Sequence, residues 1–290
     1  MDLNKKTKED VLTAQRSEIT EHLVYKNLAN SMKDQHNKEV LFRISNDEMR
    51  HYNFFRSYSG VDLEPDGLKV FFYTILSKIF GMTFAVKLME NGEDKAQNFY
   101  EGIAEYIPDI KDILEDEMEH EKKIIDMLEE EKLKYVGSVV LGLNDALVEL
   151  TGALAGLTFS LQNSNLVAVT GLITGIAASF SMAGSEYLST KSETLDKNPF
   201  MAALYTGFAY LITVFLLIAP YLFIKDIYVA LPISIVLAIF VIFVFNFYIS
   251  VVQNVSFKER FLEMLSISLG VAFLSFIVGI AVRKVFNINL

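Results

Sequence analysis

Two short runs, Glu48-Met49-Arg50-His51 and Glu117-Met118-Glu119-His120, each set a carboxylate and an imidazole three residues apart. On a helix that spacing puts both groups on one face. Glu18 sits in an earlier helical stretch, and Glu90 and Glu93 form another pair at the same spacing. One Glu on each of two helices, with Glu-x-x-His on each of two others, is how helix bundles hold a pair of metal ions between carboxylates. The physics is direct. Carboxylates crowded into a low-dielectric core repel one another and lose hydration, and divalent cations offset both costs. Imidazole with carboxylate suits iron, manganese or zinc and disfavours calcium. One Glu-x-x-His on a charged helix usually means a solvated face. Two, with acids on the intervening helices, point to a di-iron type site at Glu18, Glu48, His51, Glu90, Glu93, Glu117 and His120. His22 and His36 read as structural or solvated, and Tyr25, Tyr52 and Tyr100 as core.

A second constellation lies in apolar sequence. Asp145 and Glu149 share a helix face one turn apart, as do Met182 and Glu186. An ionisable group at membrane depth is costly and generally lines a path. A carboxylate with a thioether suits a transition-metal ion better than sodium or calcium. The bland alternative leaves Glu186 hydrated near a membrane surface and Met182 merely packed.

Charge divides unevenly along the chain. Residues 1–134 hold 28 acidic and 19 basic side chains, a net of −9, and residues 135–290 hold 8 and 7, a net of −1. An acidic first half excludes nucleic acid as a partner, because phosphates would be repelled. The absence of cysteine excludes disulfides, thiolate zinc sites and cysteine-ligated iron centres. The opening MDLNKKTKED does not read as a secretory signal.

The elements that must position these groups are all helical. Four main helices are expected in 1–134: Thr7–Met32, Asp34–Tyr58, one ending near Tyr106, and one opened by Pro108. A turn cluster at Ser59–Gly67 separates the second from the third. Leu68–Met89 is apolar but for three lysines. It reads as a bundle core helix bent at Gly81, with a face resting on the membrane surface as the second reading. Five apolar segments follow, near Val136–Leu161, Leu166–Leu188, Met201–Phe223, Val229–Val252 and Phe261–Val282. Each exceeds the ~20 residues that cross a bilayer core. Gly152/Gly156 and Gly171/Gly175 are four-apart pairs that permit close helix approach. Basic residues flanking the spans favour a cytosolic side for 1–134. The fold class is therefore all-α: a four-helix bundle, then a five-helix transmembrane domain.

At the ligand residues quoted above, residues 7–131 resemble the rubrerythrin branch of the ferritin-like family. The cysteine-bearing rubredoxin partner of that branch is absent. Asn144-Asp145-Ala146-Leu147-Val148-Glu149-Leu150-Thr151-Gly152-Ala153 and Ser181-Met182-Ala183-Gly184-Ser185-Glu186-Tyr187-Leu188-Ser189-Thr190 resemble the first two spans of the vacuolar iron transporter family. The whole chain resembles the membrane-bound ferritin type, in which the two are fused. The resemblance implies a homodimer in a lipid bilayer that exports Fe2+, or Mn2+, from the cytosol in exchange for protons. It implies a prokaryotic cell membrane with the bundle in the cytoplasm. Asp145 and Met182 map onto the family's translocation residues. Some members carry an acid eight residues before the methionine, where this chain has Thr174. A membrane-anchored ferroxidase or peroxide-scavenging enzyme is the rival expectation.

Overall fold

The computed structural model describes residues 5–89, 107, 110–127, 134–193 and 197–286. Among these every regular element is helical, as the sequence implies. The chain forms two compact units, residues 1–130 and 131–290.

In the first unit α1 (Lys5–Ser31) and α2 (Gln35–Ser59) pack side by side. Asp34 caps α2, its side chain accepting from the Asn37 amide at 2.8 Å. Gly60 ends α2 in the left-handed region (φ 71°), which glycine adopts without strain. Helix α3 (Gly67–Phe80) starts on the Asp66 cap, and α4 (Ile110–Met127) packs on α2. Residues 82–89 form a further helical stretch after a break at Gly81. Val11, Ala14, Phe55, Ile107, Ile110 and Ile113 bury one end of the bundle. Glu90, Glu93, Tyr100 and the acidic run at 129–131 lie outside the described residues.

One expectation needs correction. Leu68–Met89 is not one core helix. Leu76 is the only fully buried residue of α3, while Thr83, Phe84, Ala85 and Val86 beyond the break are buried. Gly81 (φ 92°) does more than bend the helix: it lets the two halves face different surroundings. His22 takes the structural of its two readings. It is buried, and its Nδ1 lies 2.6 Å from the Ser45 carbonyl oxygen, fastening α1 to α2. His36 is exposed, and Tyr25 and Tyr52 are core residues.

The second unit holds α5 (Val136–Leu161), α6 (Ser164–Ser192), α7 (Pro199–Phe223), α8 (Ile227–Gln253) and α9 (Phe257–Phe286). All five are long and apolar enough to span a membrane. Their bounds fall within a few residues of those read from hydropathy. Helix α5 is central and packs on each of the other four. The small residues act as expected. Gly156 approaches the backbone of Ser275 on α9, where an added Cβ would come within 3.0 Å of the carbonyl oxygen. Gly175 lies against Val214 on α7. Such contacts let helices without a hydrophobic driving force between them gain dispersion energy at short range.

Candidate metal centre and intramembrane carboxylates

Helices α1, α2 and α4 bring Glu18, Glu48, His51, Glu117 and His120 together in the bundle interior. Donor atoms of Glu18, Glu48, His51 and Glu117 lie within 4.8 Å of one another. His51 Nδ1 is 3.0 Å from Glu117 Oε1, 3.4 Å from Glu48 Oε2 and 3.5 Å from Glu18 Oε2. His120 Nδ1 is 3.2 Å from Glu48 Oε1 and 3.7 Å from Glu117 Oε2. Glu48 and Glu117 therefore each present one oxygen to each imidazole. The two rings are 6.0 Å apart between centroids. This is a pair of adjacent donor clusters sharing two carboxylates.

The cluster is a poor hydrogen-bond network. Glu48 Oε2, His51 Nδ1 and His120 Nδ1 are fully buried yet make no aligned hydrogen bond despite these short separations. Atoms that converge on common points, rather than on one another's lone pairs, fit a cation better than a salt-bridge network. By type and placement these residues fit a metal ion.

The outer ring nitrogens are held from behind. His51 Nε2 lies 3.1 Å from Asp116 Oδ2 on α4, and His120 Nε2 lies 3.1 Å from Asp47 Oδ2 on α2. Arg50 joins both aspartates, at 3.1 Å from Asp47 and 2.5 Å from Asp116. The arrangement is reciprocal, each helix orienting the other's histidine. An Nε2–H donated to aspartate leaves Nδ1 to face the cluster, the usual second layer of a histidine metal site. Sequence reasoning passed over Asp47 and Asp116. The signal was present: Asp-Glu-Met-x-His occurs twice, at 47–51 and 116–120. Glu21, one turn after Glu18, was also missed, although it repeats the three-residue spacing that singled out Glu90 and Glu93.

Protonation follows from crowding. Burial, reinforced by Glu48 and Glu117, holds Glu18 well above the usual carboxylate range, against the pull of His51. Burial and the charges of Glu18, Glu48 and Glu117 raise Glu21 likewise. Burial disfavours both imidazolium forms, yet the facing carboxylates outweigh it. They lift His51 far above its ordinary value and His120 to about 10. Burial would raise Glu48, but His120, His51 and Glu18 bring it down to about 2. Without a cation, protons on the imidazoles balance the acids.

In the second unit, Asp145 is half-buried and Glu149 is exposed at the surface of the helix cluster. The Tyr210 hydroxyl on α7 donates to Glu149 Oε2 at 2.8 Å. Both line a cleft of about 420 Å³ between α5, α6, α7 and α9, with Ser160, Thr170, Thr174 and Ser275. Thr174 and Glu149 thus face one space. Met182 is half-buried against the apolar core of the unit. Glu186 is half-buried and accepts from Ser138 Oγ at 2.6 Å, tying α6 to the start of α5. The Ser138 carbonyl in turn accepts from Thr206 Oγ1 at 2.9 Å.

These features define an all-helical integral membrane protein that carries a buried carboxylate–histidine cluster in a separate helical unit. Residues 136–196 and 191–280 match the VIT family, and with half the chain so matched, the chain belongs to that family. No curated protein matches the chain.

Proposed function

We propose that the protein is a membrane iron transporter, moving Fe2+ (with Mn2+ as alternative cargo) out of the cytosol in exchange for protons. Its ferritin-like bundle collects or senses the ion. The observation that carries the reading is the pairing, in one chain, of VIT-family spans bearing Asp145 and Glu149 with a bundle that converges three carboxylates and two imidazoles. In the bundle, Glu18, Glu48, His51, Glu117 and His120 hold the metal, with Glu90 and Glu93 completing the set expected from the sequence. Two donor clusters sharing Glu48 and Glu117 suit a di-iron centre, with manganese or zinc as substitutes. Bound iron would supply a one-electron couple there.

The chain's own groups do the rest. Loading the bundle displaces protons from His51 and His120, because ligands bind deprotonated. In the spans, Asp145 and Glu149 are the anionic stations, with Met182 and Glu186 expected along the same path. Tyr210 fixes the Glu149 carboxylate at the cleft wall, and Thr174 leaves room opposite. Glu149 so supplies from α5 the acid that some relatives carry on α6. Protonation of Asp145 or Glu149 from the far side weakens the hold on the cation and releases it. The rival enzymatic reading needs only an anchor and gives the cleft carboxylate no role. A homodimer in a prokaryotic cell membrane, bundle inward, completes the proposal.

The test is Fe(II) and Mn(II) entry into proteoliposomes holding an internal pH dye. Metal entry with counterflow of protons is expected. Asp145→Asn should abolish flux while the bundle still binds Fe(II). Flux at the wild-type rate in that variant would remove Asp145 from the path.

A further inference from the structure

Helix α3 turns an apolar stripe outward. Leu68, Phe71, Phe72, Ile75 and Ile79 follow the i, i+3, i+4, i+7, i+11 pattern of one helix face. Four of them are widely exposed: Leu68 at 83%, Phe71 at 65%, Phe72 at 50% and Ile79 at 67%. Leu76 is buried and Phe80 packs on Phe84 with ring centroids 4.9 Å apart, so it is the flank beside the stripe, not the stripe itself, that faces the bundle. A soluble surface rarely leaves so many large apolar side chains in one row unless something covers them.

Charge identifies the cover. The first 134 residues carry a net of −9, yet α3 contains Lys69 and Lys78 and no acid. At 100° per residue the lysines fall on opposite edges of the stripe. Both are exposed. Apolar centre and basic edges form the pattern of a helix lying in a membrane interface, with lysine stems along the acyl boundary and ammonium groups among lipid phosphates. A second copy seated face to face on α3 would set these lysines beside a helix that carries no acid, whereas lipid phosphates pair with them. A bilayer is always at hand, since five helices of the same chain are built to cross one.

We propose that α3 is an interfacial helix whose Leu68/Phe71/Phe72/Ile75/Ile79 face lies in the headgroup–acyl boundary of an anionic bilayer. The break at Gly81 suits this role, because it frees α3 from the buried stretch that follows. The proposal does not depend on which ion the protein carries.

The chain has no cysteine, so single cysteines can be introduced and labelled in the full-length protein. Leu68→Cys, Phe71→Cys and Ile79→Cys would each carry an NBD fluorophore in nanodiscs of phosphatidylethanolamine and phosphatidylglycerol. Asn53→Cys, exposed on α2, is the aqueous reference. The α3 labels are expected to be quenched by lipid-borne doxyl groups and shielded several-fold from aqueous iodide relative to position 53. Lys69→Glu with Lys78→Glu, or replacement of the anionic lipid by phosphatidylcholine, should reduce the lipid quenching several-fold. Iodide access equal to that at position 53 would overturn the proposal. So would shielding from both quenchers, the mark of a second protein copy on this face. Lipid quenching indifferent to both charge changes would overturn the role of the lysines.

Discussion

At the residue scale the centre is organised by what stands behind the histidines as much as by the ligands. Asp47 and Asp116 are partly exposed acids behind the donor cluster that share Arg50 and fix both imidazoles through Nε2. Asp47→Asn or Asp116→Asn should leave the fold intact and weaken Mn(II) affinity by about 10–100-fold. Asp112→Asn, on the exposed side of α4, should leave it unchanged; calorimetric titration of the full chain would read both. The ligands were legible because a three-residue spacing is a local signal. The aspartates were not, because an acid beside a ligand resembles any solvated acid until a contact 65 residues away gives it a task. The same cluster sets a pH dependence. His120 is raised from 6.5 to about 10, so its contribution is complete below 6.5 and is lost as pH climbs through 10. His51 and Glu18 are raised too and act in the same direction. Glu48, lowered from 4.5 to about 2, contributes above 4.5 and loses that as pH falls toward 2. The metal-free bundle therefore weakens on the acid side through Glu48 and on the alkaline side through Glu18 and both imidazoles. Metal binding needs those protons gone, so its affinity runs the other way. The rise in melting temperature caused by Mn(II) should be larger near pH 8 than near pH 6. An equal rise at both would mean that protons and metal do not compete for the same atoms.

At the scale of elements, apolar length and turn residues placed the spans closely, while the faces of the helices were harder to read. Hydropathy records that a segment is apolar, not what covers each side of it. That is why α3 read as core: Leu76 and Phe80 do face the bundle, but the outward stripe has its partner outside the protein sequence. Glycine spacing was more informative, since four-apart pairs imply a crossing even before the crossing partner is known. Gly279 on α9 packs directly on the carbonyl of Gly156, whereas Gly270 on the same helix has open space around it. Gly279→Ala should therefore push α9 from α5 and destabilise the membrane unit by about 1–3 kcal/mol. Gly270→Ala should be neutral or stabilising by up to about 1 kcal/mol through helix propensity. Thermal unfolding in detergent separates the two. A matched response would mean that propensity, not backbone approach, decides both sites.

At the scale of the whole molecule, two compact units with separate cores bear on one question: whether the buried cluster is a loading site or an ornament of folding. Each core belongs to its own unit, and the buried donors of Glu18, Glu48, His51, Glu117 and His120 all lie in the first. A ligand that binds only the folded form stabilises what it binds by RT ln(1 + [L]/Kd), about 2.7 kcal/mol at a hundredfold excess over Kd. Two unfolding transitions are then expected in the full chain, and Mn(II) should raise that of the first unit far more than that of the second. Glu48→Gln should remove the shift, since Glu48 and Glu117 are the two carboxylates that face both imidazoles and the variant leaves only one of them. Asp145→Asn should preserve it, because that carboxylate belongs to the spans. If Asp145→Asn also erased the shift, the metal seen by calorimetry would be the one in the membrane, and the bundle would have to be read as a fold held together by protonated acids and imidazolium pairs.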